Sequence, residues 1–118
     1  MFPNAKVEAV SDFMASFELE GQRFNALNGD PKYRFNEAVL FFISVETQNE
    51  VDYFWNRLTA DGAEAGICGW LKDKFGLSWQ VVPTALGRYL GAPDKAADRA
   101  MQQMKKIFIA DLDRAFAG

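Results

Sequence analysis

The chain contains no histidine and a single cysteine, Cys68. Without imidazole there is no 2-His-1-carboxylate iron site and no imidazole-held zinc, which leaves carboxylate, amide or thiolate as possible ligands. A nucleophilic Cys68 would need a base and a depressed pKa, and no histidine can serve; a small buried or interfacial apolar role is expected instead. Asn25 and Gln80 lie inside strand-like runs. A polar amide buried in a strand is unfavourable unless it meets water, another polar group or a ligand. Glu37, beside Asn36 at the entrance to an apolar run, is a candidate carboxylate ligand or base, and otherwise an exposed strand-end glutamate. Trp70 and Trp79 stand in the same stretch of chain as Gln80. Strand tryptophans are, however, more often core or interface residues. Lys72, Asp73 and Lys74 read as a solvated hairpin tip.

Length and composition bound what these residues can belong to. The 118 residues are expected to form one domain, and 49% hydrophobic content with three Trp and eleven Phe can fill a modest core. A net charge of -3 and a pI near 4.9 supply no basic stripe, so no nucleic-acid partner is expected. One cysteine cannot form an intramolecular disulfide. No apolar run approaches the roughly 18 residues of a membrane span, and no signal-peptide pattern opens the chain. These features predict a soluble, cytoplasmic protein with no membrane partner.

The positioning elements follow from periodicity. Lys6 to Val10 is a first strand; Phe13 to Leu19 alternates with period two, and Glu20-Gly21 makes a tight turn into Gln22 to Leu27. Together they predict an antiparallel meander. After the loop Asn28-Gly29-Asp30-Pro31, the almost wholly apolar run Ala38 to Val45 predicts a central strand. Thr47-Gln48-Asn49-Glu50 is a capping box opening a helix. Val51, Phe54, Trp55 and Leu58 share its buried stripe, and Asp61-Gly62 ends it. Ile67 to Leu71 and Leu77 to Val82 flank Lys72-Asp73-Lys74-Phe75-Gly76 as a hairpin. Thr84 to Leu90 is a short helix. Pro93-Asp94 opens a longer one carrying Ala97, Ala100, Met101, Met104 and Ile107, and Ile109 to Ala117 is the last.

The string Cys68-Gly69-Trp70-Leu71-Lys72-Asp73-Lys74-Phe75-Gly76-Leu77-Ser78-Trp79-Gln80-Val81-Val82-Pro83 resembles the end of PhnB-like proteins. These are a branch of the vicinal oxygen chelate superfamily, which also holds glyoxalase I, ring-cleaving dioxygenases and bleomycin-type resistance proteins. The resemblance extends to Phe17 through Phe24, Ala26-Leu27-Asn28-Gly29, Phe35-Asn36-Glu37-Ala38, Glu46-Thr47-Gln48 and Glu50-Val51-Asp52. It implies an α+β fold of glyoxalase/bleomycin resistance-like βαβββ modules with C-terminal helices. The second module is legible from residue 37 through the hairpin. The first lacks its opening strand and helix, because Met1 to Lys6 resembles the segment after the family's first helix. An unpaired sheet edge would favour pairing with a second chain, and the resemblance likewise implies a homodimer.

Members are often labelled demethylubiquinone methyltransferases. No glycine-rich strand-to-helix loop such as G-x-G-x-x-G is present for a nucleotide-like methyl donor, so that activity is not expected. In the superfamily a divalent metal is held by His and Glu. Here the resemblance places Gln80 at the glutamate position, Asn25 near the corresponding first-module position and Leu40 at the usual histidine. No tightly bound metal or other cofactor is therefore expected, with a weakly held divalent ion still open. Two readings follow. One is a dimeric small-molecule-binding protein without turnover, in which, as the resemblance to resistance-type relatives implies, Trp70, Trp79, Asn25 and Gln80 line a groove. The other is a metal-dependent enzyme on a small oxygenated substrate, acting as a glyoxalase-like lyase, isomerase or oxygenase with an ion near Gln80, Asn25 and Glu37.

Overall fold

The computed structural model describes residues 1–29, 31–89 and 95–117. The chain divides into two units, Met1–Arg34 and Phe35–Gly118. The first is a three-stranded antiparallel meander of β1 (Lys6–Val10), β2 (Met14–Leu19) and β3 (Gln22–Leu27), in the order β1-β2-β3. Glu20 and Gly21 both adopt positive φ, 50° and 80°, as the two central residues of a twist-compatible hairpin turn must. Phe17 stacks on Phe24 at 5.6 Å between centroids. On the other face Ser16 Oγ donates to Asn25 Oδ1 at 2.8 Å, while Arg23 pairs with Glu8 at 2.7 Å.

The second unit opens with a βαβββ sequence: β4 (Leu40–Val45), α1 (Gln48–Leu58), β5 (Glu64–Ala65), β6 (Trp70–Lys72) and β7 (Ser78–Pro83). Three helices follow, α2 (Leu86–Tyr89), α3 (Ala96–Gln102) and α4 (Ile109–Ala117). The protein is thus α+β, with two sheets and C-terminal helices, as expected. The four-stranded sheet has the order β4-β7-β6-β5, with β4 parallel to β7 and the other pairs antiparallel. A parallel pair requires a crossover, and α1 supplies it. The predicted capping box is present: Thr47 accepts from the Glu50 N–H, and Glu50 reaches back to the Thr47 backbone. Val51, Trp55 and Leu58 are buried as one stripe.

Four expectations are corrected. The β4 strand is an edge, not a centre, of its sheet. It alternates, with Ile43 and Val45 buried and Phe42 58% exposed, because only one of its faces is covered. The first hairpin strand begins at Trp70 rather than Ile67. Cys68 and Gly69 have φ of 58° and 79°, so the chain leaves the pleat there, and their N–H groups bond to the carbonyls of Met104 and Lys105, each at 2.8 Å. The first helix ends at Leu58, before Asp61-Gly62, where Thr59 caps it by bonding the Trp55 carbonyl through both its N–H and its hydroxyl. The helix expected over Pro93 to Ile107 ends at Gln102, and Met104 and Ile107 lie beyond it; Pro93 and Asp94 themselves are outside the described residues. Ile107 is still fully buried, in a cluster with Val82, Leu86, Tyr89, Ala97 and Leu112.

The last helix starts where expected, although Phe108 is a poor cap. Its first amide, the Ile109 N–H, donates to the side-chain oxygen of Gln48 in the first turn of α1 at 2.8 Å. The cap comes from another element, which is one of the recognised ways to satisfy a helix-end donor. Among the described residues no helix is long and apolar enough to cross a membrane.

Candidate functional site

Register assigns the site residues to faces. Trp70 pairs with Gln80, Leu71 with Trp79 and Lys72 with Ser78, while Leu40, Phe42 and Ser44 of β4 pair with Ser78, Gln80 and Val82. Directly opposed residues share a face. One face therefore carries Trp70, Lys72, Ser78, Gln80 and Phe42, and the other carries Leu71, Trp79 and Val81, which are buried.

Trp79 belongs to the core. It is 8% exposed, meets Phe41 edge-on at 5.1 Å, and donates its indole N–H to Asp73 Oδ2 at 2.8 Å. The same carboxylate accepts at Oδ1 from the Phe75 and Leu77 amides, at 2.9 and 3.1 Å. Asp73 is thus the organiser of the hairpin turn, not merely a solvated charge. Aspartate at the first position of a turn, with glycine at the fourth, was the legible sign.

Gln80 is half-buried, and its Nε2 donates to the carbonyl of Cys68 at 2.9 Å. Cys68 is left-handed and lies outside the sheet ladder, so its carbonyl takes its donor from a side chain. Glutamine can donate and glutamate cannot. Asn25, in the first unit, is held by Ser16. Both amides singled out in the sequence have protein partners.

Glu37 and Lys72 form a direct ion pair, with both side chains substantially exposed. The hydrogen bond from Lys72, assisted by a backbone N–H and by Coulombic attraction, holds the Glu37 carboxyl below its usual range. Lys72 is raised in turn by the Glu37 bond and charge and, more weakly, by Glu64. Glu37, Lys72 and Trp70 border one open cavity of about 380 Å³, whose wall also includes Glu64, Cys68 and Ser78. Gln80 and Phe42 border another, of about 470 Å³. The structure brings Glu37 and Trp70 together, puts Gln80 in the neighbouring cavity on the same sheet face, and leaves Trp79 behind the sheet.

Ser78 escaped the sequence reading. Its side chain is fully buried and its Oγ has no hydrogen-bond partner. Its signal was the one that marked Gln80: a polar residue in an otherwise apolar strand, two positions earlier. Among the described residues no three His, Cys, Asp or Glu side chains come together as a ligand set. With both amides engaged, the residues present do not fit the metal centre that the resemblance implies.

The model of the 3-demethylubiquinone-9 3-methyltransferase family matches residues 2–82. A solved structure, the PhnB protein from Bacillus cereus, superposes with a TM-score of 0.64 at 22% identity, covering 70% of this chain and 82% of that one. At that identity the likeness is one of fold. No match was found among curated proteins.

Proposed function

We propose, from the premise that the chain belongs to the 3-demethylubiquinone-9 3-methyltransferase family, that it is a PhnB-like, dimeric small-molecule-binding protein that works without a tightly held metal. The observation that carries this reading is the Ser78 hydroxyl, fully buried and unpartnered at the wall of a 380 Å³ cavity. A buried hydroxyl without a partner costs roughly 1–3 kcal/mol, a cost that a hydrogen-bonding group of a ligand reaching it would offset. The cavity size suits a small organic molecule, and its lining combines an indole with a few polar groups. The commitment of Gln80 to Cys68 and of Asn25 to Ser16 weighs against an ion near them.

The methyl transfer in the family's description gains no support from the chain, which has no glycine-rich loop to cradle a nucleotide-like donor. A dimer is favoured by the open edge of β4 with exposed Phe42, and by the first unit's exposed Val7, Val10, Phe13 and Leu27. A cytoplasmic location is consistent with the lone cysteine.

Metal analysis of extensively dialysed protein, with sedimentation velocity on the same sample, tests the reading. The expected result is a dimer with far less than one equivalent of any divalent metal. Stoichiometric metal would overturn the metal-free reading in favour of a Lewis-acid enzyme, and a monomer at micromolar concentration would overturn the dimer.

A further inference from the structure

The cavity beside Trp70 has a charge pattern that selects among ligands. Register aligns Ser78, Lys72 and Glu64 in one row across β7, β6 and β5, on the face that also carries Trp70. Neighbouring strands lie about 4.8 Å apart, so the row spans roughly 10 Å from Ser78 to Glu64. The inner end holds a buried hydroxyl without a partner. At the outer end is the exposed carboxylate of Glu64, and between them the Lys72 ammonium is drawn into its ion pair with Glu37. Glu37 and Lys72 neutralise each other, so Glu64 is the surplus charge and the cavity carries a net charge of -1. Ala65 and Ile67 also line the walls.

Resting on the ligand-binding reading above, we propose that this cavity takes an organic cation with a flat apolar body, its ammonium toward Glu64 and one hydrogen-bonding group at the far end toward Ser78. A cation neutralises the surplus carboxylate and can face the Trp70 indole, both favourable. An anion would have to displace Glu37 from Lys72 and then face two carboxylates.

Tyramine, tyrosol and 4-hydroxyphenylacetate present one hydroxyphenyl skeleton with a cationic, neutral and anionic head; phenethylamine is tyramine without the hydroxyl. Titration of the 118-residue chain with each, followed by ¹⁵N–¹H NMR, should place shifts at the amides of Ala65, Cys68 and Trp70. Tyramine should bind roughly two- to fivefold tighter than tyrosol at low salt, as expected for one partly screened charge pair, and 4-hydroxyphenylacetate weakest. Glu64→Gln should bring tyramine and tyrosol to equal affinity. Ser78→Ala should erase the advantage of tyramine over phenethylamine.

If none of the four probes moves those amides, the ligand-binding reading falls and the inference with it. If tyrosol binds there as tightly as tyramine, or 4-hydroxyphenylacetate binds more tightly, the site stands and the cation preference alone is overturned. A tyramine preference that survives Glu64→Gln overturns it equally.

Discussion

Gln48, in the first turn of α1, holds Ile109, the first residue of α4, across 61 positions of sequence: its Oε1 accepts the Ile109 N–H at 2.8 Å. The same side chain donates through Nε2 to the Ile107 carbonyl at 3.1 Å and to Asp52 Oδ1 at 3.0 Å. Asp52 in turn pairs with Lys106 at 3.1 Å. Two charged or polar side chains from one turn of α1 thus fasten the segment that leads into the last helix.

Gln48→Ala removes both the cap and the bridge and should cost about 1–3 kcal/mol in urea denaturation. Gln48→Glu keeps an acceptor for the Ile109 N–H but loses the donor to Ile107, so its loss should be intermediate or larger if it repels Asp52. The Asp52 carboxyl is held low first of all by the Gln48 hydrogen bond, and also by the Lys106 bond and charge. In Gln48→Ala its NMR titration should move up toward the ordinary aspartate range; an unchanged midpoint would contradict the assignment.

Asp73→Ala should destabilise the hairpin by about 2–3 kcal/mol, since it orphans two turn amides and the Trp79 indole N–H. Asp73→Asn, which keeps one acceptor oxygen, should recover part of this. Chemical denaturation followed by tryptophan fluorescence would measure both, and equal losses for the two variants would argue that the one oxygen asparagine retains carries nothing.

Gly69→Ala should be among the most damaging small substitutions, at about 2 kcal/mol or more. The backbone sits at φ 79°, and a Cβ there would come within 2.7 Å of the Val81 carbonyl oxygen and 3.0 Å of Ile107. Thermal denaturation would report a clear drop in Tm; a neutral outcome would mean that the contact between this turn and β7 can relax.

Gln80→Glu is expected to destabilise the protein without conferring metal binding. It replaces the donor to the Cys68 carbonyl with a second acceptor, and two facing acceptors in a half-buried site repel. Calorimetric titration with Mn²⁺ or Zn²⁺ should show no site created at position 80. A tight new site would mean that the side chain can swing into the cavity.

The Glu37–Lys72 pair should persist across a wide pH window. Glu37 is lowered, so its contribution is fully present above the ordinary carboxylate range and is lost as pH falls through its depressed value. Lys72 is raised, so its contribution is present below the ordinary lysine range and is lost as pH climbs through its elevated value. The pair is therefore held from roughly pH 5 to pH 10. Carboxyl NMR of Glu37 should give a midpoint below that of an ordinary glutamate, restored by Lys72→Met.

Much of the fold was legible because its signals are local. The meander follows from period-two alternation and the Glu20-Gly21 turn, and α1 from a capping box written within four residues. Apolarity alone could not place β4: the run Ala38 to Val45 looks doubly covered, yet Phe42 and Ser44 face the cavity side, and only the sheet order makes the strand an edge. The early end of α3 and the outside cap of α4 were equally invisible, since backbone donors and acceptors there find partners dozens of residues away.

What the residue types decided alone was negative chemistry. No imidazole can act anywhere in this chain, and this holds in any conformation. Which polar groups are spent and which are spare was decided only by tertiary structure, because a hydrogen bond depends on what the fold sets within about 3 Å. Gln80 and Ser78 are both polar interruptions of one apolar strand; folding gave the first a carbonyl and left the second unpartnered at a cavity wall.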